Sequence, residues 1–160
     1  MKVEQLMSRT VRTCRATETL NRAAQLMWEN DCGCVPVVDE DGRAVGIVTD
    51  RDVCMAAYTQ GGPLDALPVG SAMARDLRSC RTTDTIVEAE SIMRAAQVRR
   101  LPVVDEAGRL IGLLSLNDIA REAARVRGTR PKPAVVAEEL AATLAAICTP
   151  RERREVDTAA

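Results

Sequence analysis

The sequence predicts a mixed α/β (α+β) fold made of two copies of one β-α-β-β-α unit and a separate C-terminal helix. The first observation is an internal repeat, because residues 3–58 align without a gap with residues 69–124, giving 20 identities in 56 pairs. The second is that apolar residues in each copy switch between helical and strand spacing. A gapless register of this length indicates duplication of one structural unit, and therefore two related clefts rather than one unique active site.

Each copy predicts the same order of elements. Those predicted for the first copy are a helical turn at 3–7, a short strand at 11–14, a helix at 19–30, a hairpin of strands at 35–38 and 44–48, and a helix that begins near Asp50. The second copy repeats this order 66 residues later.

Glycine, proline and charge patterns predict the domain organisation. The predicted units are repeat 1 at 1–60, a linker at 61–68, repeat 2 at 69–126, a linker at 127–133, a C-terminal helix at 134–148 and a disordered tail at 149–160. In the C-terminal helix, Val136, Leu140, Leu144 and Ile147 form one apolar stripe. We expect that stripe to dock on the core or on a partner.

Composition excludes several classes of function. The 160 residues carry a net charge of −1, with 46% hydrophobic and 28% charged residues. Neither nucleic acid nor a membrane is therefore expected as a partner. No apolar run approaches the roughly 20 residues that a bilayer requires, and the N-terminus lacks a signal-peptide pattern. We expect a cytoplasmic protein whose six cysteines are mostly reduced.

The missing residue types argue against an enzyme. The chain has no histidine, which is the commonest general base and the commonest metal ligand. No nucleophile–base pair is visible in the pattern either. Trp28 and Tyr58 are the only aromatic residues, so a bound base would lie between aliphatic side chains.

Candidate chemistry concentrates where each hairpin meets its second helix. Thr49 and Asp52 lie three residues apart at a predicted helix start, as do Ser115 and Asp118. One interpretation is helix capping, in which the hydroxyl and the carboxylate satisfy backbone N–H groups. The other is ligand binding, because a helix N-terminus attracts phosphate and a carboxylate accepts hydrogen bonds from a ribose diol. The two interpretations are compatible.

These motifs carry a resemblance to a known family. The leading helical turn, the hairpin motif at 35–42 and 101–108, and the closing motif G-h-h-[T/S]-x-x-D at 46–52 and 112–118 resemble the cystathionine-β-synthase (CBS) domain. A tandem pair is similar to a Bateman module, here of the stand-alone bacterial type that includes hypoxic-response proteins. The resemblance implies two repeats related by pseudo-two-fold symmetry. It also implies two clefts that bind adenosine-containing ligands, each combining the closing motif of one repeat with the middle loop of the other.

The resemblance also implies which residues form each cleft. Cleft 1 would use Thr49, Arg51, Asp52, Leu77, Arg78, Val98, Arg99 and Arg100. Cleft 2 would use Val11, Arg12, Cys32, Gly33, Cys34, Ser115, Asn117 and Asp118. The carboxylates would bind the ribose hydroxyls, and the polar or cationic residues would face the phosphates.

The residue differences between the copies predict unequal clefts. Arg51, Arg99 and Arg100 would belong to cleft 1, and the corresponding positions of cleft 2 hold Asn117, Gly33 and Cys34. Because arginine makes charge-assisted contacts to phosphate, our hypothesis is that cleft 1 binds AMP, ADP or ATP better. The alternative is that Arg99 and Arg100 form a solvated helix end.

Cys32 and Cys34 leave a further alternative open. Their one-residue spacer differs from that of the usual redox and zinc motifs, but they lie on a loop assigned to cleft 2, so a thiol-based redox or metal sensor is an alternative function. The remaining cysteines are expected to pack in the protein: Cys14, Cys54, Cys80 and Cys148.

The function predicted from these observations is non-catalytic regulation. The module would sense an adenine nucleotide or S-adenosylmethionine, need no cofactor and no metal, and signal to an unidentified regulated protein. A homodimer is expected because faces at 53–56 and 119–123 should be exposed, and the family resemblance implies a flat disc of two pairs. The alternative is a structural or dimerisation module with degenerate clefts.

Overall fold

The computed structural model describes residues 1–126 and 137–150. Its helices are α1 (Leu20–Glu29), α2 (Asp50–Gln60), α3 (Ile86–Ala96), α4 (Leu116–Val126) and α5 (Ala137–Cys148), with short 3₁₀ turns at Val3–Gln5 and Val69–Ser71. Its strands are β1 (Cys34–Val38), β2 (Ala44–Thr49), β3 (Cys80–Arg81), β4 (Arg100–Val104) and β5 (Leu110–Ser115). The predicted α+β class is confirmed. The predicted linker at 127–133, the start of the C-terminal helix at 134–136 and the tail at 151–160 lie outside the described residues.

Both repeats contain the predicted antiparallel hairpin. β1 pairs with β2 and β4 pairs with β5, and each hairpin has a register shift at the same point, after Val37 or Val103. β3 adds a parallel strand beside β4. The strand predicted at 11–14 is reduced to a single parallel bridge from Cys14 to Val37, which is equivalent to the Cys80–Val103 pair of β3 in the second repeat. Cys14 donates its N–H to Pro36 O at 3.2 Å and accepts from the Val38 N–H at 2.9 Å, and its side chain is buried.

The leading turn of each repeat packs into the core of the other repeat. The backbone N–H of Val3 donates to Asp84 O at 2.9 Å, and Val3 is fully buried among residues of repeat 2. In the same way the N–H of Val69 donates to Glu18 O at 2.8 Å, and Val69 is buried in the core of repeat 1. The structure therefore has two cores, and each core contains residues from both copies.

The two hairpin turns meet across an approximate two-fold axis. The N–H of Ala44 donates to Gly108 O at 3.1 Å, and the N–H of Leu110 donates to Gly42 O at 3.0 Å. Gly42 and Gly108 have φ angles of 77° and 80°, in the left-handed region that glycine adopts at least cost. Equivalent residues thus make reciprocal contacts, as pseudo-two-fold symmetry requires.

Helix α5 packs on the second repeat, against α3 and α4. Ile147 is buried in the core of that repeat, and Thr143 is completely buried beside Glu90. The predicted stripe is partly wrong, because Leu144 is 42% exposed and Thr143 takes its place at the interface. The hydroxyl of Thr143 donates to Glu139 O at 2.9 Å and lies 3.3 Å from Glu90 Oε1. Because the hydroxyl is hydrogen-bonded within α5, its burial costs little free energy.

Two faces expected to be exposed for dimerisation are in fact largely covered. Val53 and Ala56 pack in the first core, whereas Ile119 and Ala123 pack in the second. The apolar spacing of α2 and α4 therefore marks the side that faces each core. Met55, which is 45% exposed, is the part of the predicted faces that remains at the surface. None of the helices in the described part of the chain is long and apolar enough to cross a membrane.

The carboxyl group of Glu90, buried beside α5, should make the free energy of unfolding depend on pH. Burial raises the pKa of Glu90 above the ordinary value of 4.5, and nearby Glu139 adds to the rise, while the Thr143 hydroxyl and Arg94 oppose it. Between those two pKa values the folded chain holds a proton that the unfolded chain has lost. The free energy of unfolding should therefore fall as pH rises through that interval.

Glu90→Gln should remove this dependence, because glutamine keeps the size and hydrogen-bonding capacity but does not titrate. Urea unfolding at a series of pH values from 4.5 upward measures the slope. Glu138→Gln, at an exposed position of α5, controls for the loss of one carboxylate. An unchanged slope in Glu90→Gln would show that Glu90 does not cause it.

Candidate functional site: the clefts between the repeats

The hydroxyl and carboxylate pairs of both closing motifs form capping boxes. Asp52 Oδ2 accepts hydrogen bonds from the Thr49 backbone N–H at 2.9 Å and the Thr49 hydroxyl at 2.7 Å, and Thr49 Oγ1 accepts from the Asp52 N–H. Asp118 and Ser115 repeat this geometry, at 2.9 and 2.6 Å. The capping interpretation is confirmed. Each box uses only one carboxylate oxygen, Oδ2, so capping leaves Oδ1 for another partner.

The second oxygen differs between the two motifs. Asp118 Oδ1 accepts a hydrogen bond from Arg121, three residues further along α4. The equivalent of Arg121 in the first repeat is Met55, which has no donor. Asp118 is 9% exposed, whereas Asp52 is only half-buried. Asp52 is therefore the more available acceptor for a ligand hydroxyl.

Arg100 crosses from the second repeat to the start of α2. A β-carbon at Gly33 would lie 3.1 Å from Arg100 Nη2 and 3.0 Å from Asp50 Oδ2. Any larger residue at position 33 would displace one of these groups. Because Gly33 has no side chain, Arg100 of repeat 2 can approach the N-terminus of α2. The guanidinium and the positive end of the helix dipole would both attract an anion at this position.

The other two arginines predicted for cleft 1 have different surroundings from Arg100. Arg99 Nη2 donates weakly to Cys148 Sγ of α5 at 3.9 Å. Arg51 is exposed in the first turn of α2, where its backbone N–H donates to Asp50 Oδ1. Arg51 belongs to the closing motif of the first repeat, and of the two arginines from the second repeat it is Arg100 that the structure brings next to that motif.

Gly33 and Cys34, predicted for cleft 2, lie at this same junction. β1 pairs with β2, so Cys34 is opposite Thr49 in the hairpin register. The Asp50 N–H also approaches Gly33 O, at 3.4 Å. Each middle loop is therefore adjacent to the closing motif of its own repeat through the backbone, and Arg100 reaches the other repeat through its side chain.

The segment that follows each leading turn pairs with a strand of the other repeat. Ser8 pairs with Leu113 of β5, and Ala74 pairs with Ile47 of β2. Val11, which follows Ser8, lines a 210 Å³ cavity together with Arg9, Leu110 and residues of both hairpins. This cavity is an inter-repeat space on the side predicted for cleft 2.

The remaining predicted residues lie at various positions around these junctions. Arg12 donates to Asn30 Oδ1 at 3.1 Å and lines a 570 Å³ surface cavity beside α1. Arg78 forms an exposed ion pair with Asp76, at 2.9 Å. Leu77 is half-buried, Val98 packs on the second core, Asn117 is exposed, and Cys32 lines a cavity between α1 and α2.

Three of the six thiols are in environments that raise their pKa and favour the protonated form. Burial raises the pKa of Cys34 to about 11, although nearby Arg100 opposes the rise. Burial also raises the pKa values of Cys14 and Cys80 to about 12. Since the thiolate is the reactive and metal-binding form, these three cysteines are poor nucleophiles. Within residues 1–126 and 137–150, no group of three or more Cys, Asp or Glu side chains is placed to hold a metal ion.

Sequence reasoning missed three residues at the candidate clefts. Asp50 flanks Gly33 opposite Arg100, Arg121 occupies the second oxygen of Asp118, and Arg9 lines the inter-repeat cavity. For two of them the signal was in the repeat register. Asp50 aligns with Leu116 and Arg121 aligns with Met55, so both differ sharply in charge between the copies.

Comparison with known proteins establishes the family. Residues 3–58 and 69–125 each match the family model described as the CBS domain. The chain belongs to the CBS domain family. The CBS domain-containing protein YhcV of Bacillus subtilis is 35% identical over 118 residues, which are 74% of this chain and 82% of YhcV.

Two further similar proteins have crystal structures with a bound ion or nucleotide. Hypoxic response protein 1 of Mycobacterium tuberculosis is 36% identical over 104 residues, covering 65% of this chain and 72% of that protein. A crystal structure of Hypoxic Response Protein I with two coordinated zinc ions is similar with a TM-score of 0.69 and 32% identity, over 76% of this chain and 98% of that one. The crystal structure of CBSX2 in complex with AMP has a TM-score of 0.69 and 25% identity, over 79% and 98%.

Proposed function

We propose that this CBS pair is a non-catalytic regulatory module that binds an adenine nucleotide, or a related adenosyl ligand such as S-adenosylmethionine, between its repeats. Binding changes the conformation of the pair and thereby its affinity for a regulated protein. Such a switch requires only that the ligand bind two conformations with different affinity. The proposed functional unit is a homodimer.

The observation that carries this proposal is the meeting of Arg100 with the first turn of α2. The guanidinium and the positive end of the α2 dipole provide positive potential for a phosphate, while Asp52 Oδ1 can accept a ribose hydroxyl. These groups come from both repeats. A ligand that binds them all would therefore link the two repeats, which is how occupancy could alter their relative position.

AMP is the first ligand to test, since the related CBSX2 is known in complex with AMP. An AMP-sized ligand also suits the residues present, because one guanidinium stands beside the helix start.

A thermal-shift panel tests the proposal directly. AMP, ADP, ATP, S-adenosylmethionine, NAD and cyclic dinucleotides would each be titrated, with GMP as a matched control for the base. A specific ligand should stabilise the fold by about 2.7 kcal/mol at a concentration 100 times its Kd. Stabilisation by none of them would instead favour a structural module with degenerate clefts.

A further inference from the structure

The helix pair of the first repeat carries an open acidic groove, which we call the first-repeat groove. It is a cavity of about 440 Å³ between α1, the turn after α1 and the start of α2. Of the described residues that line it, Asp31 and Asp50 are acidic and none is basic. Trp28 also lines it and is 89% exposed. The groove thus combines negative charge with an aromatic face, and both attract a cationic side chain.

The same position in the second repeat holds the end of α5. There Gln97 Nε2 donates to two carbonyl oxygens near the end of that helix at 3.2 and 3.0 Å, and Arg99 Nη2 reaches Cys148. Gln97 and Arg99 correspond to Asp31 and Gly33 of the first repeat. Donors that meet the negative end of a helix are thus replaced by a carboxylate and a glycine. The first-repeat groove is therefore suited to a positively charged segment rather than to helix carbonyl groups.

Neither carboxylate of the groove forms an ion pair with another residue of the described chain. Asp31 is exposed in the turn after α1, and Asp50 Oδ1 accepts a hydrogen bond from the Arg51 backbone N–H at 2.8 Å. Arg100 approaches Asp50 across Gly33, from outside the lining of the groove. A cation that follows the described part of the chain can therefore bind here without breaking an existing ion pair.

The tail segment, which we define as residues 151–160, carries the matching charge. It begins with Arg151, Glu152, Arg153 and Arg154. The guanidinium group of arginine forms a planar fork that fits a carboxylate, and it also stacks on aromatic rings. The start of the tail segment is therefore complementary to the carboxylates and the indole ring of the first-repeat groove.

The path from the end of α5 to the groove is short. Cys148 Sγ lies 3.9 Å from Arg99 Nη2. The next residue, Arg100, approaches to 3.1 Å from the position of a β-carbon at Gly33, which lines the groove. Two neighbouring side chains of one loop thus connect the end of α5 with the near edge of the groove. Residues 151–160 span roughly 33 Å when fully extended, so the tail segment can reach the groove and cross it.

We propose that the tail segment binds the first-repeat groove of its own chain, with its arginines on Asp31, Asp50 and the ring of Trp28. Together, α5 and the tail segment then form a strap over the helix pairs of both repeats. The groove is open to another protein only when the tail segment is released, so the contact is autoinhibitory. This inference goes beyond the proposed function and does not depend on which nucleotide binds.

The single tryptophan and one thiol make the contact measurable in the full chain. Trp28 and the half-buried Cys32 both line the groove. Arg153→Gln combined with Arg154→Gln removes two positive charges, so acrylamide quenching of Trp28 should increase. The rate at which a thiol reagent labels Cys32, followed by peptide mass spectrometry, should rise roughly 3- to 30-fold, the size expected for the loss of two exposed ion-pair or cation–π contacts.

A matched control comes from the same segment. Glu152→Gln combined with Glu155→Gln removes two charges of the opposite sign, and it should leave Trp28 and Cys32 as protected as in the wild type. On the groove side, Asp31→Asn should increase quenching and labelling. Asparagine suits this position because Asp31 has a φ angle of 48°, in the left-handed region where asparagine is enriched.

A dilution series distinguishes a contact within one chain from a contact between copies. Binding of the tail segment to its own chain should give the same quenching and labelling at every protein concentration. Protection that grows with concentration would overturn the proposal, because a second copy would then cover the groove. Equal quenching and labelling in the wild type and the double arginine variant would also overturn it, as would an equal loss of protection in the double glutamate variant.

Discussion

Asp52→Ala should weaken AMP binding by roughly 10- to 100-fold, the loss expected when a hydrogen bond to a charged group is removed. Asp118→Ala should change AMP binding little. Asp52 is half-buried with Oδ1 beyond its capping box, whereas Asp118 Oδ1 already accepts from Arg121. Arg100 also approaches the motif of Asp52. Isothermal titration calorimetry of both variants with AMP measures the difference.

The two variants control for each other's effect on stability. Each substitution breaks one capping box, which should cost about 1 kcal/mol in either helix. Arg121→Met is the complementary variant, because it places the residue of the first repeat beside Asp118. It should free that carboxylate and increase the affinity of the second cleft. Loss of AMP binding in Asp118→Ala but not in Asp52→Ala would reverse the proposed asymmetry.

The hairpins and the closing motifs could be predicted because their causes are local. Apolar runs on either side of a turn predict the β1–β2 hairpin, and a hydroxyl three residues before a carboxylate predicts a capping box. Both were predicted without knowledge of the tertiary structure. The exchange of the leading turns was not, because Val3 and Val69 are identical in the alignment. Equivalent residues would fit either core equally well, and only the path of the chain decides.

The position at which β4 begins decides where the side chains of Arg99 and Arg100 point. Successive side chains of a strand point to opposite faces, so two adjacent arginines at a strand start cannot both face one cleft. β4 begins at Arg100, whose side chain reaches Gly33, while Arg99 turns to Cys148. The ends of strands are the elements that a sequence pattern predicts least well. The pattern also does not indicate that α5 lies beside Arg99. The sequence pattern therefore suggested that Arg99 and Arg100 act together, whereas the structure separates their side chains.

Gly46→Ala should lower the free energy of unfolding by roughly 1–3 kcal/mol, as expected for overpacking. A β-carbon at position 46 would lie 2.9 Å from the backbone carbonyl oxygen of Ala74 and 2.9 Å from Met73 Sδ. The methionine can rotate away, but the carbonyl cannot retreat easily. Ala74 O accepts from the Ile47 N–H at 3.2 Å, and the Ala74 N–H donates back to Ile47 O at 2.9 Å. Chemical unfolding followed by circular dichroism measures the loss.

The position of Gly46 also predicts the form of the transition. It lies where the leading turn of the second repeat crosses the first hairpin, so the strain acts on the contact that joins the two copies. Because each core contains residues from both copies, the two repeats should lose structure in one cooperative transition with an earlier midpoint. Gly62→Ala is the matched control, since its nearest neighbour would be a Leu67 methyl group at 3.4 Å, an ordinary contact. A Gly46→Ala protein as stable as Gly62→Ala would contradict the close crossing of the leading turn and the hairpin.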